Sequence, residues 1–225
     1  MHTRLIDLSH VIASGTQTYK GLPAPLICDY LSRETAANWY ENGETFQIGK
    51  IEMVTNTGTY IDCPFHRYAD GDDLSQMDLS FFVDLPAEII SIHHTACLAI
   101  GPAHFKDKSL KNKAVLIHTG WSQFWNTEQY FEHHPYLTAE AAVYLQEQGV
   151  VLVGIDSHNI DNTQTQSRPV HSHLLGHNIL IVEHLCGLEQ IPNQPFTFSA
   201  VPPKFKGVGT FPIRAYAKIS RSYSP

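Results

Sequence analysis

The chain has 225 residues, 43% of them apolar and only 16% charged, which is the make-up of a packed globular protein and excludes intrinsic disorder. Fifteen Lys plus Arg stand against 22 Asp plus Glu for a formal charge of -7, a balance that offers no basic stripe to a nucleic-acid backbone. Asp7 breaks any apolar leader, no run nears a membrane span, and Cys28, Cys63, Cys97 and Cys186 form no CxxC, so we expect a cytoplasmic protein with reduced, mostly buried thiols and neither membrane nor nucleic-acid partner.

No internal repeat or linker interrupts the chain, and residues 1–225 read as one domain. Arg4 to Leu8 form the first strand candidate, followed by a weaker helix around Ser32 to Asn42 and a strand over Phe46 to Thr55. The next segment, NTGTYIDCPFH (Asn56 to His66), separates by parity as extended chain: Asn56, Tyr60, Asp62 and His66 point one way, while Thr57, Thr59, Ile61, Cys63 and Phe65 point the other. One face is a polar site and the other core, and Gly58 allows close approach of a ligand or backbone. The same residues also read as a strand end and turn in which Asp62 bonds backbone amides. Arg67 to Asp84 follow as an acidic loop, read as solvated surface because it lacks the spacing of a calcium loop.

Further strands are expected at Ala87 to Ile92, Ala114 to Thr119, Val150 to Ile155, Asn178 to Val182 and Ile213 to Ser220. Between them, Ala139 to Gln148 is the clearest helix, with Thr138 as its cap, Glu140 at the positive end of its dipole and Gly149 in the left-handed terminal position. A capped helix feeding the continuous apolar run VVLVGI marks a βα unit, whereas the last strand alternates as a half-exposed one. The fold class is therefore α/β, a mixed β-sheet or partly closed barrel flanked by helices. Pro192, Pro195, Pro202 and Pro203 make 191–203 an irregular surface crossing.

Fourteen histidines are unusual in a chain of this length, and imidazole is the commonest metal ligand. The pairs His93/His94 and His133/His134 read as surface loops, since adjacent side chains diverge. In VHSHLLGHNILIVEHL, His171 and His173 flank a serine and Glu183 closes an apolar strand at the sheet end, where α/β folds place their sites. A helical turn over Val170 to Gly176 would swing His173 away from His171.

Taken together and in this order, the blocks RLIDLSHVIASGTQTYKGLPAP, NTGTYIDCPFHRYADG, AVLIHTGWSQFW, LTAEAAVYLQEQGVVLVGIDSHNIDN, VHSHLLGHNILIVEHLCGLEQIP and FKGVGTFPIRAYA resemble the bacterial kynurenine formamidase or cyclase family of metal-dependent hydrolases, which includes isatin hydrolase. The resemblance implies a swivelling β/α/β fold and a divalent-metal site built on HxGTHxDxPxH plus a later His and Glu. By position, it implies that Asp62, His171 and Glu183 are metal ligands and that His66 is the proton shuttle. Asn56 and Tyr60 stand where the family has its first two histidines, and Asn or protonated Tyr is a poor zinc donor beside imidazole. The implied site thus holds one ion, zinc or manganese, and the implied reaction is hydrolysis of a small aromatic or cyclic amide such as N-formylkynurenine, with Tyr60 donating to the developing oxyanion. A rival reading is a binding or regulatory protein on the same scaffold. The resemblance also implies a homodimer or homotetramer and makes Tyr19, Trp39, Tyr40 and Trp121 candidate pocket walls.

Overall fold

The structure is a computed structural model describing residues 3–220. Its first half contains β1 (Thr3–Asp7), β2 (Leu26–Leu31), α1 (Arg33–Ala36), β3 (Ile48–Glu52), β4 (Tyr60–Asp62) and β5 (Leu85–Ser91). The middle supplies β6 (Ala99–Ile100), β7 (Ala114–His118), β8 (Tyr136–Leu137), α2 (Ala139–Glu147) and β9 (Leu152–Ile155). Then come α3 (Pro169–Gly176), β10 (Leu180–Glu183), β11 (Phe196–Ser199), β12 (Thr210–Pro212) and β13 (Tyr216–Ser220).

Nine strands join in the order β1-β13-β11-β5-β7-β9-β10-β4-β12. The centre, β5-β7-β9-β10, is parallel and both wings are antiparallel, so the sheet is mixed, as its sequence pattern implies. Alternation along the central strands feeds two cores. Leu116, Leu152, Leu180 and Val182 pack on one face, while Val115, Ile117, Val153, Ile155 and Ile181 meet Ala142 and Leu145 of α2 and Val170 and Leu174 of α3 on the other. Thr138 caps α2 by accepting from the Ala141 amide at 3.2 Å. Among the described residues no helix is long and apolar enough to cross a membrane.

Five local expectations need correction. The 191–203 stretch holds β11, an interior strand between β13 and β5, because Phe196 and Phe198 carry apolar alternation into the core between the two pairs of prolines. The final segment is two strands, β12 and β13, and the helix near Ser32 is only the single turn α1. Asp73 of the acidic loop is buried, accepting from the Gln76 and Gly207 amides. Of the four thiols only Cys63 is fully buried, and Cys28 is exposed.

Candidate metal centre

Strand β4 lies between β10 and β12, in a register that sets Glu183 opposite Tyr60 and Thr210 opposite Asp62. Directly opposed residues share a face and alternate residues of one strand share a face, so Tyr60, Asp62, Glu183 and Thr210 all project to the side covered by α3. Ile61 takes the reverse face and joins the core. Pro64 ends the extended run in a 3-10 turn (Pro64–His66) that brings His66 alongside Asp62. Gly209 permits that turn, since a β-carbon there would sit 2.3 Å from the His66 amide nitrogen.

His171, on the first turn of α3, turns its Nε2 to within 3.7 Å of Asp62 Oδ2 and 3.6 Å of Glu183 Oε1. His66, Asp62 and His171 each offer a donor atom within 4.8 Å of the others. The three residues expected as ligands therefore converge, with His66 beside them. Among the described residues no backbone amide bonds the Asp62 carboxylate as in a turn aspartate. Its Oδ1 accepts the Thr210 hydroxyl hydrogen, and its Oδ2 is buried with no hydrogen-bond partner among the described residues.

An unpartnered buried carboxylate oxygen is costly in an apolar interior unless a cation meets it. Tetrahedral donors about 2.1 Å from an ion stand about 3.4 Å from one another, close to the separations seen around His171 Nε2. Carboxylate and imidazole donors suit a divalent metal; the donor atoms mutually within reach belong to Asp62, His66 and His171, with Glu183 beside His171.

Asp161, which the sequence pattern did not single out, governs the imidazole. Its Oδ2 accepts from His171 Nδ1 at 2.7 Å and from the His171 amide at 3.0 Å, while its Oδ1 takes the Val170 amide at 2.8 Å. One carboxylate thus caps α3 and holds the ring with Nε2 toward Asp62 and Glu183. Burial works against charge on His171, but Glu183, Asp161 and Asp62 outweigh it and push the pKa up to about 10. Burial raises Glu183 to about 7 despite the nearby imidazole.

Tyr60 is fully buried and donates to Glu183 Oε2 at 2.5 Å, and the Ile160 amide bonds Oε1 at 2.6 Å. Burial and the neighbouring Glu183 hold the Tyr60 phenol well above its ordinary pKa, so it stays protonated and orients a carboxylate. Its single hydrogen is engaged there and is not free for an oxyanion in this arrangement. Thr210 carries a second link, because its hydroxyl hydrogen goes to Asp62 and its oxygen accepts from His66 Nδ1 at 2.7 Å. That pattern leaves His66 Nε2 with a free lone pair.

Tyr60, His66, His171 and Glu183 line an open cavity of about 210 Å³, smaller than a typical drug-sized ligand site. Asn56, Tyr19 and Leu22 form part of its wall. Tyr19 takes a hydrogen bond from Asn159 at 2.6 Å and faces Glu183 Oε2 at 3.3 Å. The other aromatic candidates lie elsewhere. Trp39 and Tyr40 are exposed beside the β2–β3 hairpin, and Trp121 is buried against His94 and Phe124. His173 stacks on His177, turned aside by the helix that carries it. His134 is buried, unlike the surface residue expected, and packs with His158, behind which lies His184. Burial drives the pKa of His134 down to about 4 and that of His158 to about 3. Part of the histidine excess is thus neutral aromatic packing.

The Cyclase family model matches residues 6–162. The kynurenine formamidase of Geobacillus thermodenitrificans is 31% identical over 185 residues, covering 82% of this chain and 85% of its own. That of Bacillus cereus is 28% identical over 211 residues, covering 93% and 95%. Isatin hydrolase A from Labrenzia aggregata superposes with a TM-score of 0.82 at 20% identity, covering 97% of this chain and 94% of its own. With its curled nine-stranded sheet and its site under α3, this chain belongs to the Cyclase family and stands among its hydrolases.

Proposed function

We propose that the protein is a mononuclear metal-dependent hydrolase of a small aromatic or cyclic amide, with N-formylkynurenine, cleaved to kynurenine and formate, as the reaction to test first. The unpartnered Asp62 Oδ2 facing His171 Nε2 and Glu183 carries this reading, and the kynurenine formamidase relatives support the substrate class. Asp62, His171 and Glu183 would hold one zinc or manganese ion. When bound, the ion supplies Lewis acidity toward an acyl oxygen and makes hydroxide accessible near neutral pH.

The chain's own groups supply the rest. His66, with Nε2 free, takes a proton from water and returns it to the departing aryl amine. Thr210 keeps that imidazole in register with Asp62, and Tyr60 keeps Glu183 turned toward His171. For Tyr60 to serve the oxyanion as well, its hydroxyl hydrogen must leave Glu183 as charge develops. Asn56 and protonated Tyr60 leave no donor pair for a second ion.

We infer self-association as a homodimer or homotetramer. The β2–β3 hairpin forms its own two-stranded sheet and exposes Tyr30, Ile48, Ile51 and the adjacent Trp39, an apolar surface of the kind that marks an interface. A cytoplasmic setting accords with the free cysteines. The test is metal analysis of protein purified without chelator, alongside N-formylkynurenine turnover. About one equivalent of zinc or manganese, lost with turnover in His171→Ala, supports the enzyme. Metal-free protein that binds an aromatic ligand without turnover supports a binding protein on this scaffold.

A further inference from the structure

Resting on the hydrolase reading, we infer that Arg168, aided by Arg67, is a specificity residue that seats a substrate carboxylate at the cavity mouth, away from the bond to be cleaved. Both arginines line the same cavity as His66, His171 and Glu183. The cations of Lys20, Lys113, Arg214 and Lys218 are neutralised by nearby carboxylates. By contrast, no carboxylate lies within ion-pair distance of Arg67 or Arg168 among the described residues.

The Arg168 head is nonetheless held in place. Its Nη1 donates to the carbonyls of Thr165 at 2.6 Å, Ser167 at 2.8 Å and Asn162 at 3.4 Å. Carbonyl oxygens fix a guanidinium without cancelling its charge, and no partner for its Nε or Nη2 is found among the described residues. A half-buried guanidinium with its ordering cost already met, and donors to spare, is what planar two-point binding of a carboxylate requires. Arg67 is tied by its Nε to Ser172 Oγ at 3.0 Å.

Arg168 precedes the first residue of α3, Ser172 lies on the helix, and His171 sits between them. Arg168 and the His171 donor are therefore carried by one rigid element at a set spacing. The same cavity carries the carboxyl of Glu183, and Tyr19 and Leu22 supply an apolar wall. A ligand matching this layout is an aryl amide whose acyl group meets the metal donors, whose ring lies on the wall and whose separate carboxylate reaches the arginines.

A purely structural Arg168, stapling 162–167, would change stability but not the choice between substrates. The test compares kcat/KM for N-formylkynurenine with that for its decarboxylated analogue, in wild type, Arg168→Gln and Arg67→Gln, with melting curves for each. We expect wild type to prefer the carboxylate-bearing substrate by at least about tenfold, as befits a charge-assisted two-point contact. Arg168→Gln should erase most of that ratio by raising KM for the anionic substrate. An unchanged ratio in both variants overturns the inference. Should Arg168→Gln fail to fold, Arg67→Gln carries the test alone.

If neither substrate turns over, the hydrolase reading fails by itself, and calorimetric binding of kynurenine against its decarboxylated analogue to metal-free protein decides the seat. A preference for kynurenine that is lost in the arginine variants sustains it, and equal binding refutes it.

Discussion

Replacing Asp161 with Asn keeps the side chain's shape and removes one acceptor from the group that orients His171. In the wild type, Oδ2 receives the Nδ1 hydrogen and the His171 amide, while Oδ1 receives the Val170 amide. The asparagine NH2 must face one of these sets. Facing Nδ1, it forces the imidazole hydrogen onto Nε2, the nitrogen turned to Asp62 and Glu183, and removes the lone pair a metal needs. Facing Val170, it leaves a buried amide without an acceptor in the first turn of α3, at about 1–3 kcal/mol. Loss of such a supporting carboxylate costs metal affinity about 10–100-fold, or about 1.4–2.7 kcal/mol. Zinc affinity measured against a chromophoric chelator, together with melting of the metal-free protein, reads both outcomes. Each kcal/mol of lost stability lowers Tm by about 2–4 °C in a chain of this size. An Asp161→Asn protein with wild-type zinc affinity and wild-type Tm would show that Asp161 does not control the imidazole.

Metal uptake should strengthen as pH rises. His171, pushed up to about 10, and Glu183, raised to about 7, both hold protons that a cation must displace. Affinity should therefore grow about tenfold per pH unit above 7, where one proton is displaced, and more steeply below it. Calorimetry in two buffers of different ionisation enthalpy should show about one proton released at pH 8, and a flat profile between pH 6.5 and 8.5 would contradict this. Thr210→Val severs the link between Asp62 and His66 and should lower kcat about 10²-fold while metal content is retained. Loss of metal in step with activity would instead make Thr210 a support of the ion site. Ile51→Lys combined with Trp39→Ser places charge and polarity on the exposed hairpin and should lower the sedimentation coefficient of the proposed assembly to that of a monomer, an unchanged coefficient refuting the hairpin as its interface.

The central parallel strands and α2 were readable because each is local: continuous apolar runs, a capping threonine and a terminal glycine. Tyr60 and Asp62 were readable as one face because the pleat dictates parity along β4, whereas His66 reaches them through the turn that Pro64 starts and not through parity. The partners of that face were not. Thr210 meets Asp62 through strand register across 148 positions, and Asp161 caps a helix from eight residues before its start, so no nearby spacing marks either. Trp39 and Tyr40 look like pocket walls on composition alone, and only the path of the hairpin takes them to the outside. The strand inside 191–203 was hidden because prolines stop helices and weaken interior strands, yet here they flank the paired residues on both sides.

The placement of β4 between β10 and β12 has a consequence for biogenesis. Asp62 leaves the ribosome early, yet its neighbours across the sheet arrive only with residues 180–183 and 210–212, and β1 waits for β13 to close the opposite edge. A nascent chain therefore cannot capture an ion in working geometry until nearly all of it has been translated, and order of synthesis alone guards against a half-made catalyst.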